Sequence, residues 1–253
     1  MDVTIPAWSF AAALYIAEQR KAKFRNRFPS AKLRGLHENE IYWNHSESIV
    51  GYLGDIGASV LVGLDPVQMF CDMIDATDGL AHRDQFDLWH NGYNVDAKIE
   101  DFADYHDDVV QGGVQYRDFY GCRLINAKQW EENHGHTDIY LFGCFHPPMA
   151  PGRLLHQISQ IRWLGFATAG EVETKEIRKF SPAGPWLPRP AKCIPHSELH
   201  SMEEFMGLKN GPQTKSAPKT RNPATDADTI KRIQDLCAKV RQIASPLPHV
   251  SGP

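Results

Sequence analysis

A β-hairpin at residues 85–99 constrains the fold of this chain more than any other feature. Apolar and polar residues alternate on both sides of an Asn-Gly dipeptide at 91–92, which is typical of a two-residue turn between antiparallel strands. Residues equidistant from that turn are cross-strand partners, so the pattern predicts that Asp87 lies directly opposite Asp96. The turn alone therefore indicates which side chains meet across the hairpin.

The two faces of this hairpin differ in chemistry, because successive side chains of a strand point to opposite sides. One predicted face carries Gln85, Asp87, Asp96 and Lys98, and the other carries Phe86, Leu88, Val95 and Ala97. Opposed aspartates have Cβ atoms about 5 Å apart and repel each other unless a cation or a shared proton intervenes. This face predicts a divalent metal ion with a lysine that can position or help deprotonate a bound water. The alternative is a solvated polar face on an edge hairpin.

Helical periodicity predicts a long helix over residues 7–28 and a second over 47–64, with Ser46 as its N-cap. The second helix contains three glycines at three-residue intervals. Each glycine costs a helix about 1 kcal/mol relative to alanine. We therefore expect close approach of its backbone to the sheet or to a substrate at Gly51, Gly54 and Gly57.

The remaining elements follow from shorter patterns. Strands are predicted at 138–145 and 162–172, and short helices at 126–133 and 152–160. A segment rich in Pro, Lys, Thr and Asn has little to bury and is interpreted as a linker over 209–225. It divides a first domain, 1–208, from an amphipathic C-terminal helix and tail over 226–253, which could dock on the first domain, on a second copy or on another protein.

Charge is segregated along the chain, although the net charge is only -4. Between residues 65 and 108 there are twelve acids and two basic residues, whereas residues 20–34 are basic and contain no acid. The basic segment predicts an arm that binds a phosphate backbone, and its alternative is an ordinary solvated face. Its cations are Arg20, Lys21, Lys23, Arg25, Arg27, Lys32 and Arg34, and Lys215, Lys219 and Arg221 of the linker are further candidates.

Composition limits the class of protein. With 253 residues and 42% hydrophobic content the chain can build a real core. No apolar run approaches the roughly 20 residues of a membrane span, so we expect a soluble cytoplasmic protein with no membrane partner. The five cysteines are at least 22 residues apart, which favours buried reduced thiols. No glycine-rich loop ending in Lys-Ser or Lys-Thr is present, so no nucleoside triphosphate site is expected.

The hairpin resembles that of the PD-(D/E)xK nuclease superfamily, also called the restriction-endonuclease-like fold. The similarity is carried by Phe86-Asp87-Leu88, the tight turn, and Val95-Asp96-Ala97-Lys98, preceded by a helix that bears Asp55. It extends more weakly to Phe145-His-Pro-Pro and to the segment from Trp163 to Val172. The resemblance implies an α/β fold with a mixed β-sheet flanked by helices, and the last two segments look like later strands of bacterial and phage members.

The resemblance also implies roles for individual residues. Asp87 and Asp96 would bind Mg²⁺ or Mn²⁺ together with the carbonyl of Ala97, and Asp55 would complete the acidic cluster. Lys98 would orient the attacking water and stabilise charge on the phosphate. Asp55 takes the place of the usual glutamate, for which Glu47 or Glu40 could substitute. Phe86 stands where many members have proline, the Gln-x-x-x-Tyr feature is not met, and no cysteine quartet matches the iron-sulfur members.

These observations predict a metal-dependent nuclease that hydrolyses phosphodiester bonds, with DNA favoured over RNA as the expected substrate. The alternative is a nucleic-acid-binding or assembly protein of a phage or defence complex that uses the same fold without cutting, because a fold does not establish an activity.

Overall fold

The structure is a computed structural model that describes residues 1–17, 46–67, 69–70, 88–100, 122–146, 158–182, 184 and 186–212, together with Lys231 and Asp235. Several predicted site residues lie outside the described residues: the basic segment, Asp87, Glu40, the acids at 72–84 and 101–108, and the linker cations. Predictions on them stay predictions, as does the division into domains. The protein belongs to the mixed α/β class, as expected.

The described strands form two sheets. The first has five strands in the order β1-β6-β5-β3-β2, in which β3 and β5 are parallel and all other neighbours are antiparallel. The second has three antiparallel strands in the order β4-β8-β7. The strands are β1 Asp2–Thr4, β2 Leu88–His90, β3 Tyr93–Glu100, β4 Cys122–Asn126, β5 Ile139–His146, β6 Gln160–Thr168, β7 Ile177–Phe180 and β8 Trp186–Pro195.

The predicted hairpin and its register are confirmed over the residues described. Leu88 pairs with Val95, and His90 pairs with Tyr93. The turn residues Asn91 and Gly92 both have positive φ, 48° and 91°, as the two central residues of a type I′ turn require.

Helices accompany both sheets. α1 covers residues 9–17, the last before the first gap, and α2 covers Ser46–Leu61. Both match predicted helices, and Ser46 is the first described residue of α2. Further helices are α3 Ala127–Asn133, α4 Ala169–Glu173 and α5 Met202–Gly207. Helix α3 was predicted, and its N-cap is the side chain of Asn126, which accepts a hydrogen bond from the Lys128 amide at 2.9 Å.

Helix α2 packs on the five-stranded sheet through two of its three glycines. A Cβ atom at Gly54 would lie 2.4 Å from Cγ1 of Ile99, and one at Gly57 would lie 2.4 Å from Cδ1 of Ile161. The prediction of close backbone approach is therefore confirmed for Gly54 and Gly57. It is wrong for Gly51, which is exposed and where an added Cβ atom would meet no heavy atom within 4 Å.

We expect Gly54→Ala to lower the free energy of unfolding by about 1–3 kcal/mol, because the new methyl group overpacks the interface. Ile99 cannot yield easily, because the atoms nearest to the new methyl group are Cγ1 and Cβ of a stiff β-branched side chain. In the same helix, Gly51→Ala should raise the free energy of unfolding by about 0.5–1 kcal/mol. Urea denaturation of both variants measures the difference, and equal effects would contradict the packing described here.

The five-stranded sheet is covered on both faces. One face contributes Val95, Ala97 and Ile99 to the main core, which α1 and α2 complete. The other face contributes Tyr140 and Phe142 to a second cluster that includes Trp130 of α3 and Ile194 of β8. The central strands are therefore enclosed between helices on one side and the three-stranded sheet with α3 on the other.

Four sequence-based expectations differ from the structure. The strand predicted over 162–172 ends at Thr168, because Thr168 and Glu171 form a capping box that starts α4. Glu171 and Glu173 are thus helical instead of lying on a strand. The helix predicted over 152–160 does not extend to Gln160, because Gln160 is the first residue of β6. The four-residue spacing of His196 and His200 fits one face of a helix. The two residues do not share a helix, because the 3₁₀ turn that begins at His196 ends at Glu198.

Other expectations hold where they can be compared. Cys122, Cys144 and Cys193 are buried free thiols, and Lys231 and Asp235 of the predicted C-terminal helix are helical. In the part of the chain that the structure describes, no helix is long and apolar enough to cross a membrane.

Candidate functional site

The candidate site is built on β3, a strand with neighbours on both sides. β3 pairs with β2 through the hairpin and runs parallel to β5. Its alternation directs Val95 and Ala97 into the main core and turns Asp96 to the opposite face. Asp96 is only 3% exposed, so its carboxylate is almost completely removed from water.

Lys98 compensates the buried charge of Asp96. Its ammonium donates a hydrogen bond to Oδ1 of Asp96 and forms an ion pair with it. The two side chains lie two residues apart on one strand, as predicted, and Lys98 is itself mostly buried. An uncompensated carboxylate at this depth would cost several kcal/mol, so Lys98 is needed wherever no other cation is bound.

Tyr140 of β5 is a neighbour of this pair that the hairpin pattern did not predict. It is the cross-strand partner of Asp96. Burial and the negative charge of Asp96 raise the pKa of Tyr140 to about 12, so its phenol stays protonated at neutral pH and can donate a hydrogen bond. No local signal could have revealed it, because the pairing of β3 with β5 joins segments some 40 residues apart in the chain.

The oxygen donors of the described site suit a hard cation. The carboxylate of Asp96 and the carbonyl of Ala97 are the kinds of ligand that Mg²⁺ accepts. Asp87, the third predicted ligand, lies outside the described residues. Among the residues that are described, no three His, Cys, Asp or Glu side chains come together as a metal-binding group. A complete metal site therefore requires Asp87 or another donor from the segments not described.

Asp55 lies on a different side of the sheet. It follows Gly54 on α2, and α2 packs on the face that carries Val95 and Ala97. Asp96 and Lys98 project from the other face. This geometry does not place the carboxylate of Asp55 beside that of Asp96, so it gives no support to Asp55 as part of the acidic cluster.

The turn of the hairpin is held by the segment that follows α5. Nδ2 of Asn91 donates to the carbonyl of Leu208 at 3.0 Å, and the amide of Gly211 donates to the carbonyl of Asn91 at 2.9 Å. His90 stacks on Phe205 with ring centroids 5.0 Å apart. Burial lowers the pKa of His90, so the ring is neutral at pH 7. These contacts fix the position of the strand that carries Asp96.

A second anchor of the hairpin lies close to the turn, at Asn94. Its amide donates to Oδ2 of Asp138 at 2.8 Å, and its carbonyl accepts from the amide of Asp138 at 2.9 Å. Trp89 and Tyr93 flank the hairpin turn, where an aromatic ring could stack on a nucleic-acid base. Tyr93 packs against the main core instead, and Trp89 is half-buried. The ordinary structural role is thus the better description of Tyr93.

Two buried cations were not singled out from the sequence. Arg123 of β4 is completely buried, and its Nε donates to Nε2 of His196 at 2.9 Å. Lys192 of β8 lies 4.5 Å from the centroid of the Trp130 ring and donates to carbonyls at the end of α4, including that of Glu173 at 3.1 Å. Both connect the second sheet to its surroundings. Their strands offered no signal of burial, since isolated basic residues are usually exposed.

Comparison of the chain with models of protein families, with curated proteins and with solved structures found no match. The chemistry of the site is therefore argued from its own residues.

Proposed function

We propose that this protein is a metal-dependent nuclease that hydrolyses phosphodiester bonds, with DNA as the favoured substrate. The observation that carries the proposal is the ion pair between Asp96 and Lys98. Both residues lie on one strand of a hairpin, and the described part of that hairpin has the predicted register. An acid and a lysine two residues apart on such a strand form the second half of the superfamily pattern that the sequence resembles. Continuation of the register by one residue would put Asp87 opposite Asp96.

In this proposal the two halves of the site have separate tasks. Asp96 and the Ala97 carbonyl, with Asp87, hold Mg²⁺ or Mn²⁺, which when bound supplies positive charge to the phosphate and lowers the pKa of a water. Lys98 leaves Asp96 for the attacking water and the phosphate, where its ammonium offsets the charge that develops in the transition state.

The substrate backbone would be bound by the basic segment over residues 20–34, with the linker cations as additional contacts. This part of the proposal rests on sequence alone. It accounts for the acid-free cluster of seven cations in a chain whose net charge is negative.

Cleavage assays test the proposal. We expect the wild-type protein to cut plasmid or linear DNA in Mg²⁺ or Mn²⁺ and to be inactive in a chelator. Asp96→Asn keeps the size of the side chain and removes its charge. It should reduce cleavage by about 100-fold or more, because even residues that only position a metal ligand contribute about 10–100-fold. Glu203→Gln is the matched control, because Glu203 is an exposed carboxylate of α5, and its activity should equal that of the wild type.

Two outcomes would contradict the proposal. Metal-dependent cleavage that survives in Asp96→Asn would place the active centre elsewhere. Wild-type protein that neither cuts nor changes its melting temperature on titration with Mg²⁺ or Mn²⁺ would favour the second candidate, a nucleic-acid-binding or assembly protein that does not cut. The observation in favour of that candidate is that the ion pair with Lys98 gives the buried carboxylate of Asp96 a structural role.

A further inference from the structure

The hairpin formed by β7 and β8 exposes two aromatic rings. All four residues of β7 are exposed, and Phe180 of this strand pairs with Trp186 of β8. Their ring centroids are 4.0 Å apart, yet 46% of Phe180 and 69% of Trp186 remain accessible to solvent. Large aromatic side chains are seldom left this accessible without a partner.

The surroundings of these rings are positively charged. Residues 177–190 contain three cations, Arg178, Lys179 and Arg189, all exposed, and no acid. Lys175, which precedes β7, forms an ion pair with Glu198. Arg178 and Lys179 form no ion pair with any other residue that the structure describes. The hairpin therefore combines exposed aromatic rings with the positive charge of Arg178 and Lys179.

We infer that this hairpin binds single-stranded nucleic acid, with Trp186 and Phe180 stacking on bases and Arg178 and Lys179 contacting phosphates. Stacking platforms among cations are how proteins bind single strands, and the bases of a duplex are not available for such stacking. The inference rests on the proposed function, which supplies nucleic acid as the class of ligand. It adds that the single-stranded form of that ligand binds to this hairpin.

Pairing of β7 with a strand of another protein or of a second copy is the competing use of this edge. β7 is the edge strand of its sheet within the described residues, but it has only four residues. Its ladder with β8 shifts register between Arg178 and Phe180. Short, irregular and charged edges are those that resist addition of a strand. The geometry thus favours side-chain recognition over backbone pairing.

Fluorescence anisotropy tests the inference with full-length protein in a chelator, which prevents metal-dependent cleavage. The probes are labelled oligo-dT and oligo-rU of about 16 nucleotides and a DNA duplex of the same length. We expect the single strands to bind more tightly than the duplex. Trp186→Ala should weaken single-strand binding about tenfold, and Phe180→Ala should weaken it as well. Met206→Ala, which removes another exposed apolar side chain, should leave it unchanged.

Charge is tested on the same probes. Lys179→Gln should weaken binding and lower the slope of log affinity against log salt by about 0.7. Comparison of oligo-dT with oligo-rU tells whether DNA or RNA is the better ligand. The chain has six tryptophans, so stacking of Trp186 on a base should appear as fluorescence quenching in the wild type that is reduced in Trp186→Ala.

Three results would overturn the inference: no single-strand binding, binding that Trp186→Ala and Phe180→Ala leave intact, or a change of oligomeric mass in Trp186→Ala, which would make the hairpin a contact between copies. Failure of the proposed function is distinguishable from these. Tight single-strand binding without cleavage would support the inference and contradict the proposed nuclease activity. Cleavage by the wild type, with unaltered single-strand affinity in the aromatic variants, would support the nuclease activity and contradict the inference.

Discussion

Replacing Lys98 with methionine is expected to lower the free energy of unfolding by about 3–5 kcal/mol at neutral pH. The substitution keeps a long unbranched side chain but removes the ammonium that is paired with Asp96. The Asp96 carboxylate is buried, so it would be left in a medium of low polarity without a compensating cation. Breaking one side of a buried ion pair has a cost of this size. Chemical denaturation measures it directly.

The double variant Asp96→Asn/Lys98→Met separates this effect from lost packing. It removes both charges, and we expect it to recover most of the stability that Lys98→Met loses, because no buried charge remains. Lys209→Met is the control for removal of an exposed lysine and should change the free energy of unfolding by less than about 0.5 kcal/mol. A double variant as unstable as Lys98→Met would show that the ion pair is not what Lys98 contributes.

The same variant bears on catalysis. If a divalent ion binds beside Asp96, Mg²⁺ should restore stability to Lys98→Met more than to the double variant, since the ion takes over the role of the ammonium. Cleavage by Lys98→Met should nevertheless fall by about 10²–10⁴-fold, the usual contribution of a positioned group that assists proton transfer. If Lys98→Met keeps full cleavage activity and Mg²⁺ does not raise its free energy of unfolding, the role given to Lys98 is contradicted.

Gly165→Ala is expected to lower the free energy of unfolding by about 3 kcal/mol. A Cβ atom there would lie 2.5 Å from the carbonyl oxygen of His200. That carbonyl accepts a hydrogen bond from the amide of Phe166 at 3.1 Å, and the amide of His200 donates to the carbonyl of Phe166 at 2.9 Å. The backbone around His200 cannot move without breaking both bonds.

Gly170→Ala is the matched control for this prediction. Gly170 lies a short distance along the chain in α4, and no heavy atom is within 4 Å of a Cβ position there. Alanine should therefore stabilise the protein by about 0.5–1 kcal/mol through its better helix propensity. Thermal and urea unfolding of the two variants give the comparison. Similar stabilities would mean that residues 199–200 do not pack against β6 as described.

Local chemistry accounts for the predictions that the structure confirmed. The Asn-Gly turn determined the partners Leu88 and Val95, because a two-residue turn leaves a hairpin only one register. The same alternation separated Val95 and Ala97 from Asp96. The glycines of α2 indicated close approach, and Gly54 and Gly57 make it.

Short-range patterns failed where two structures were locally possible. The segment after Thr168 alternates in a way that fits a strand, but the capping box of Thr168 and Glu171 begins a helix. The spacing of His196 and His200 fits a helix, yet His200 forms a β-bridge with Phe166. In each case a specific hydrogen-bonded partner outweighed periodicity.

The sequence by itself determined the hairpin, its register and the lysine that accompanies Asp96, because these depend on residues close together in the chain. Only the tertiary structure decided that Tyr140 lies beside Asp96, that α2 places Asp55 on the opposite face, and that β7 is an exposed edge among the described strands. These features depend on which distant strands pair and on which face each helix covers. That choice is made by burial of apolar surface over the whole molecule, and no local pattern encodes it.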